Sequence, residues 1–496
     1  DIVADESKIY VNIFKKMDRL RQLQKYYQNF LKVCLCEEWR KIREVSIDEN
    51  ITCWLNGLYD KLLMEWHDQM KWSSQVFPDN GTELLTEIYT DVLSSLSMSI
   101  EECIGGALKY SSYGDKLDLL IELKRITQNF SRNMCGAVRA SLKIDHDNEE
   151  KEERLAKAIY APYIVFMSNY SIYEGGVLNE TLDTIDVDQS ELGDIINLLS
   201  LSVSRAIDNA NEANKRCKYL SEGCRYPALI NTLNKYFVDY LEKFGTCVKL
   251  VERRKTKYEN LNLFQMCLTL MQVIGNFLSH IEELEKTLIV NIMEVDNKFK
   301  CSTAGKIFEN YKILLLNASG REEFDRLINA INKRDEEKTI LSRVKECIYK
   351  LCRDLHNTTY DVIFAPILSQ LLTIQNAPAW SKEGGKIQGL SSDLPDYSFA
   401  PQEYITQVGQ YLMTLPQHLE PFLLRDNPNL IHALRAADDQ YTQGIIEGGF
   451  TATLLSIIAK GTCQVFLDQA LCICELNSGA CKQLATDIGN HNLFPL

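Results

Sequence analysis

The chain has 496 residues, with 54 Lys and Arg against 68 Asp and Glu, and a formal net charge of -14. Its 45% hydrophobic and 25% charged residues are the balance of a globular protein. The acidity argues against general nucleic-acid binding, and against attraction to anionic membranes by overall charge, while leaving local basic faces open.

Proline placement favours helices. Pro78, Pro162 and Pro227 are the three prolines of the first 365 residues, and eight more follow. Internal proline breaks a helix, and a β-sandwich needs turn residues at short intervals, so this stretch suits long helices. The first element is marked by Ile9, Ile13, Leu20, Leu23 and Tyr27 at helical spacing, with Lys15, Lys16, Arg19, Arg21 and Lys25 around them. A helix over 51–72 carries Trp54, Leu55, Leu58, Leu62 and Trp66. Helices over 83–104 and 117–139 follow, with Gly-rich breaks at Gly105-Gly106 and over 110–114. Charged residues 145–154 suit a loop or an exposed helix start. Gly175-Gly176 through Asp188 reads as an acidic connection.

Long helices resume over 191–220, 227–250, 260–299 and 321–372. The clearest stripe is Leu261, Phe264, Leu268, Met271, Ile274, Leu278, Ile281, Leu284, Leu288, Ile292, Val295 and Phe299, with a mean step of about 3.5 residues. Glu282, Glu283, Glu285, Lys286 and Asn291 lie between and suit a solvated face. Such a stripe needs cover, and packing in a helical bundle is a simpler reading than an open partner groove. A linker is predicted over 375–401 from Pro378, Gly384-Gly385, Gly389, Ser391-Ser392, Pro395 and Pro401. It divides a helical stack over 1–374 from a C-terminal bundle over 402–496. Pro401 and Glu403 start the first helix of that bundle, which carries Tyr404, Val408, Tyr411 and Leu412 and is expected to end at Pro416. A polar segment over 425–449 precedes an apolar one over 450–476. Glu-Gly-Gly recurs at 174, 383 and 447, but in unlike surroundings, which suggests three independent loops.

No run reaches the ~18 apolar residues of a membrane span. The richest, 261–278, is interrupted by Asn262, Gln265, Gln272 and Asn276. The chain opens Asp1-Ile2-Val3 without an initiator Met or signal peptide, as expected of a processed chain or a fragment.

Chemical motifs are sparse. The sixteen cysteines include no C-x-x-C, and helix-like positions such as Cys103, Cys267, Cys347 and Cys463 suggest mostly buried, reduced thiols. Seven N-x-[ST] sequons are unsurprising in an Asn-rich chain. Ala304-Gly305-Lys306-Ile307 lacks the earlier Gly and the following Ser or Thr of a phosphate loop. No G-x-S-x-G or H-E-x-x-H occurs, and His280 with Glu283 suits a surface pair better than a metal site. No catalytic, cofactor-binding or metal residues are therefore assigned. Two basic runs, Lys15–Lys25 and Lys249–Lys257 with Arg253, Arg254 and Lys255, suit a solvated helix face more simply than a phospholipid or acidic-partner surface. Trp39, Trp54, Trp66 and Trp72 suit core packing more simply than an aromatic ligand site.

One region is recognisable. Tyr360-Asp361-Val362-Ile363-Phe364-Ala365-Pro366-Ile367, Ala379-Trp380 and Asp393-Leu394-Pro395 lead into Ser398-Phe399-Ala400-Pro401-Gln402-Glu403-Tyr404-Ile405. Then come Val408–Pro416 and Leu419-Glu420-Pro421-Phe422. This closely resembles the family of seventh subunits of the conserved oligomeric Golgi complex. Lys482-Gln483-Leu484-Ala485-Thr486-Asp487-Ile488 and Ile13-Phe14-Lys15-Lys16 through Tyr26-Tyr27 resemble further stretches of it, in the family's order.

The resemblance implies an all-α fold, an elongated stack of helical bundles like other tethering-complex rods. It implies a non-enzymatic, cofactor-free subunit of a vesicle tether, peripheral on the cytosolic face of the Golgi and acting in retrograde intra-Golgi transport, Golgi organisation and, indirectly, glycosylation. The implied partners are the fifth, sixth and eighth subunits, with SNAREs, small GTPases and vesicle coats engaged through the complex. It also implies an assembly helix before this chain's start and a continuation after Ile488, so the C-terminal bundle is expected to be incomplete. A helical adaptor that binds peptide segments is the alternative; it is less favoured because no in-register repeat is present.

Overall fold

A computed structural model of the chain describes residues 4–45, 50–141, 146–187, 191–254, 260–300, 307–333, 339–380, 398, 400–423 and 427–491. Among these residues the fold is all-α, with short 3-10 turns and no strand. The chain forms two compact units. The first comprises Asp1–Thr184, Asp208–Tyr236 and Leu284–Ile340, and the second Ile185–Ile207, Phe237–Glu283 and Leu341–Leu496.

The opening stripe is not one buried helix. α1 (Ala4–Lys16) and α2 (Leu20–Val45) are separated at Asp18, which adopts φ 56°. Only the α2 members of the stripe turn inward: Tyr27 is buried, followed by Leu31, Leu35 and Trp39. Ile9 and Ile13 stay 60% and 45% exposed, against the expectation of a covered face. α3 (Ile51–Val76) starts at Asn50, whose side chain accepts from the Cys53 amide at 3.2 Å.

The next break also differs. α4 (Gly81–Ser94) ends before the glycines, and α5 (Ile100–Leu108) contains Gly105 and Gly106. Ser99 sets the boundary: its Oγ accepts from the Glu102 amide, and Glu102 accepts from the Ser99 amide. This capping box is worth about 1 kcal/mol, enough to start a helix just after Met98 with its φ of 53°.

α6 (Tyr113–Ser141), α7 (His146–Tyr160), α8 (Ile164–Ser168) and α9 (Tyr170–Leu182) continue the first unit. α9 runs through Gly175 and Gly176, where an acidic connection was expected. Glycine is required here by packing, because a Cβ on Gly176 would lie 2.4 Å from the Tyr113 ring. Inside this unit Tyr59 stacks on Phe130 at 4.2 Å, and the Tyr59, Thr127 and Tyr163 hydroxyls form a buried hydrogen-bonded chain. Trp66 meets the Tyr89 ring edge-on at 5.0 Å. Each fully buried aromatic of this kind contributes roughly 1.5–3 kcal/mol through desolvation.

α10 (Leu192–Ser221), α11 (Tyr226–Arg254) and α12 (Asn260–Lys300) each contribute residues to both units. Ten of the twelve stripe positions of α12 are buried, and only Leu261 and Phe299 at its ends are half-buried. The solvated face predicted beside it has one exception, since Glu285 is 4% exposed. α13 (Tyr311–Leu315) and α14 (Ala318–Asn332) complete the first unit. The long helix expected over 321–372 is therefore two helices, α14 and α15 (Ser342–Leu371).

The second unit has a core of Phe237, Tyr240, Phe244 and Phe277, with ring centroids 5.2–6.5 Å apart. α16 (Glu403–Leu423) continues past Pro416 and Pro421. Both prolines lie on its exposed side, where water can reach the carbonyls they leave unbonded, while Leu412, Leu415, Leu419 and Phe422 anchor the other side. α17 (Pro428–Ala437) and α18 (Gln440–Leu471) occupy much of the segment expected to be polar and irregular, and α19 (Ser478–His491) follows. α18 kinks at Gly449, whose φ of 83° suits glycine. Of the three Glu-Gly-Gly sites, two therefore lie in helices, and the one at 383 lies outside the described residues, as do 381–397 of the predicted linker.

Three segments, Leu261–Lys300, Ser342–Trp380 and Gly449–Leu471, are long and apolar enough by length and composition to cross a membrane, contrary to the sequence expectation. Mean hydropathy tolerates the scattered Asn and Gln that interrupt a strict apolar run. In the first, 61% of the apolar window is buried within the fold. Cysteine burial is also lower than expected. All fifteen described cysteines are free, seven are buried, Cys347 is half-buried and Cys463 is exposed.

Candidate functional site

The chemistry sought in sequence is not concentrated at one place. His280 donates Nδ1 to the Asn276 carbonyl at 2.7 Å, one turn back on its own helix, and Glu283 is exposed. No group of three or more His, Cys, Asp or Glu suited to a metal ion occurs among the described residues. Residues 304–306 lie outside them. The tryptophans divide: Trp39 and Trp66 are core residues, Trp54 is half-buried, and Trp72 lines a cavity.

That cavity has a volume of about 280 Å³ and lies among α1, α2 and α3 of the first unit. Tyr10, Tyr26, Tyr27, Phe30, Trp72 and Phe77 supply most of its wall. Tyr27 is fixed by its hydroxyl bond to Gln69 and by the Trp72 ring 5.0 Å away. Tyr10, Tyr26 and Phe30 are 61%, 69% and 52% exposed, so the wall opens onto the surface. The basic run Lys15–Lys25 contains Leu23 of this wall, and Lys15, Lys16, Arg19, Arg21 and Lys25 are all exposed. The second basic run is less concentrated. Lys249 and Arg253 are exposed and Arg254 is half-buried at the C-terminus of α11, where cations complement the helix dipole. Lys255 and Lys257 lie outside the described residues. In the second unit a polar cleft of about 560 Å³ runs between α11 and α15, walled by Glu242, Lys249, Glu252, Lys350 and Asp354.

The recognised segments meet in the second unit. Gln483 on α19 accepts from the Ser398 amide and donates to the Ala400 carbonyl, at 2.9 and 3.0 Å. One turn on, Asp487 accepts from the Gln402 amide at 2.9 Å and from the Tyr404 hydroxyl at 2.7 Å. Gln483 also donates to Asp487 at 3.1 Å. Gln483 is 3% and Asp487 0% exposed, so this clasp closes the N-terminus of α16 with a buried carboxylate. Burial, and then the hydrogen-bonded Asp487 carboxylate, push the Tyr404 hydroxyl pKa well up. Sequence spacing could not join positions more than eighty residues apart. The available signal was that both lay in stretches resembling one family.

Two ion pairs, each with one buried partner, were also missed. Glu174, fully buried in α9, accepts three hydrogen bonds from Nε and Nη2 of Arg216 on α10. Lys124, 1% exposed in α6, donates to Glu222, Gln128 and the Tyr219 carbonyl. Burial lowers the Lys124 pKa, and Glu222 opposes that shift. Nothing in the local pattern separates these residues from surface charges.

The whole sequence carries the deciding likeness. The profile of the family described as Golgi complex component 7 matches residues 2–491. The chain belongs to that family. Among Golgi complex component 7 relatives, conserved oligomeric Golgi complex subunit 7 of Homo sapiens is 27% identical over 526 residues, covering 98% of this chain and 67% of the relative. The subunit of the same name from Drosophila melanogaster is 27% identical, with 98% and 65% covered, and that from Arabidopsis thaliana 21%, with 90% and 62%. The chain thus spans about two thirds of the length of these Golgi complex component 7 proteins. The early match that begins at Ile13, the α16 segment and the Lys482–Ile488 stretch all fall within the matched span.

Proposed function

We infer that the chain works as a non-enzymatic subunit of the conserved oligomeric Golgi complex, the assembly named in its relatives. The family match over 2–491 carries this reading. Within it the chain tethers vesicles through assembled helical surfaces, in retrograde intra-Golgi transport and Golgi organisation, with an indirect effect on glycosylation. Its partners are the fifth, sixth and eighth subunits, and SNAREs, small GTPases and coat proteins engage the complex as a whole. It sits peripherally on the cytosolic face of the Golgi. The division into a helical stack over 1–374, a connection over 375–401 and a C-terminal bundle over 402–496 belongs to the same proposal. So does Arg253-Arg254-Lys255 as a contact for an acidic partner.

Affinity purification of the tagged chain from gently lysed cells tests this reading. Recovery of other Golgi-complex subunits is the expected result. Recovery of the chain alone would contradict it. Charge reversal of Arg253 and Arg254 that left subunit recovery and membrane association unchanged would return that cluster to a solvated helix end.

A further inference from the structure

We propose that α1 and the first half of α2 dock on an anionic phospholipid bilayer, with Tyr10, Ile13, Tyr26 and Phe30 entering the interface and Arg21, Lys25 and Lys32 holding anionic headgroups. This deepens the Golgi reading above, because it gives the proposed membrane association a surface on this chain.

Placement of the side chains is the first argument. Tyr10, Ile13 and Met17 follow one another at i, i+3 and i+7, and are 61%, 45% and 55% exposed. On α2, Tyr26, Phe30 and Val33 repeat at i, i+4 and i+7, at 69%, 52% and 67% exposure. Two apolar stripes thus flank the aromatic cavity and face water rather than the core. Exposed Arg21 and Lys25 and half-buried Lys32, at i, i+4 and i+11, form a basic strip on the flank of α2 between its core side, held by Tyr27, Leu31 and Leu35, and its outward apolar stripe. Apolar and aromatic residues next to a basic strip make the pattern of a helix lying in a membrane interface.

Charge is the second argument. Residues 4–33 hold seven basic residues, Lys8, Lys15, Lys16, Arg19, Arg21, Lys25 and Lys32. Against them stand three acids, Asp5, Glu6 and Asp18, and Asp5 already pairs with Lys8 at 3.1 Å. In a chain of net charge -14 this is a local reversal that complements an anionic surface. Shape separates lipid from a partner helix. Helix-in-groove binding needs one continuous trough, whereas here the cavity holds about 280 Å³ and the exposed Ile13, Met17 and Val33 are not part of its wall. A fluid interface accepts such uneven protrusions without a matching surface.

Flotation of the purified 496-residue chain with vesicles provides the test, using phosphatidylcholine alone and phosphatidylcholine with phosphatidylserine. Binding is expected only with phosphatidylserine and is expected to fall as salt rises. Arg21→Gln, Lys25→Gln and Lys32→Gln together are expected to cut vesicle partitioning roughly a hundredfold, at about fivefold per cation. Tyr26→Ser with Phe30→Ser should also lower it, with the helical circular dichroism unchanged because both residues are exposed. Equal binding to both vesicle types, no binding, or an unaffected triple variant would overturn the proposal. Loss of Golgi-subunit recovery in the triple variant with vesicle binding intact would identify the face as a protein interface and overturn it equally. Retained, residue-dependent vesicle binding by a chain that recovers no Golgi subunits would support the lipid surface while removing the Golgi reading.

Discussion

Lys124 and Glu222 show how a charge enters a helical core. The ammonium is buried among three acceptors, whereas the Glu222 side chain is 37% exposed and keeps part of its hydration. Removing the acid strands the cation, whereas removing the cation returns the acid to water. Glu222→Gln is therefore expected to destabilise by about 1–3 kcal/mol, and Lys124→Met by less. Urea unfolding of both variants checks the order, and a larger loss for Lys124→Met would refute it. His356 offers a pH-dependent test. Its ring nitrogen lies 3.0 Å from the Tyr441 hydroxyl, and burial lowers its pKa below 6.5 despite nearby Asp438. As pH falls below 6.5, unfolded His356 gains a proton that the folded residue resists, so its contribution to stability declines. His356→Phe should flatten the fall in melting temperature over that range; an unchanged slope would assign it to other groups. Neither Lys124 nor His356 stood out in the sequence, since burial of a single polar residue leaves no mark on periodicity.

At the scale of elements, the long amphipathic helices were readable wherever one face stayed apolar for many turns, as in α12. Boundaries were less readable. Glycine and proline were expected to interrupt helices at Gly105, Gly175 and Pro416, yet α5, α9 and α16 pass through them. The actual stops depend on features that periodicity ignores, such as the Ser99 capping box and the positive φ of Asp18. Gly275 illustrates the reverse, a glycine demanded by contact between helices. A Cβ there would fall 1.8 Å from the Asn429 carbonyl oxygen of α17. Gly275→Ala is expected to cost roughly 1–3 kcal/mol by forcing α12 and α17 apart. Calorimetry showing no loss would mean that α17 yields freely. The clasp makes a companion prediction. Asp487→Ala removes the acceptor of both the Gln402 amide and the Tyr404 hydroxyl, and should cost about 1–3 kcal/mol. Hydrogen exchange should quicken in the first turn of α16, and unchanged protection there would count against the clasp.

For the whole molecule, sequence motifs located the family before any contact was known, because the recognised stretches are ordered along the chain and need no geometry. What they could not locate was the meeting of Ser398, Ala400, Gln402 and Tyr404 with α19, or the outward turn of Ile9, Ile13, Tyr26 and Phe30. Both depend on which helices pack together. The candidate site is accordingly a set of helix faces. Those faces belong to a member of the Golgi complex component 7 family. The most direct measurement is quantitative mass spectrometry of complexes purified with the tagged chain under gentle lysis. Enrichment of the other conserved oligomeric Golgi complex subunits is the predicted result. A lone chain, or a stable set of partners without those subunits, would contradict it.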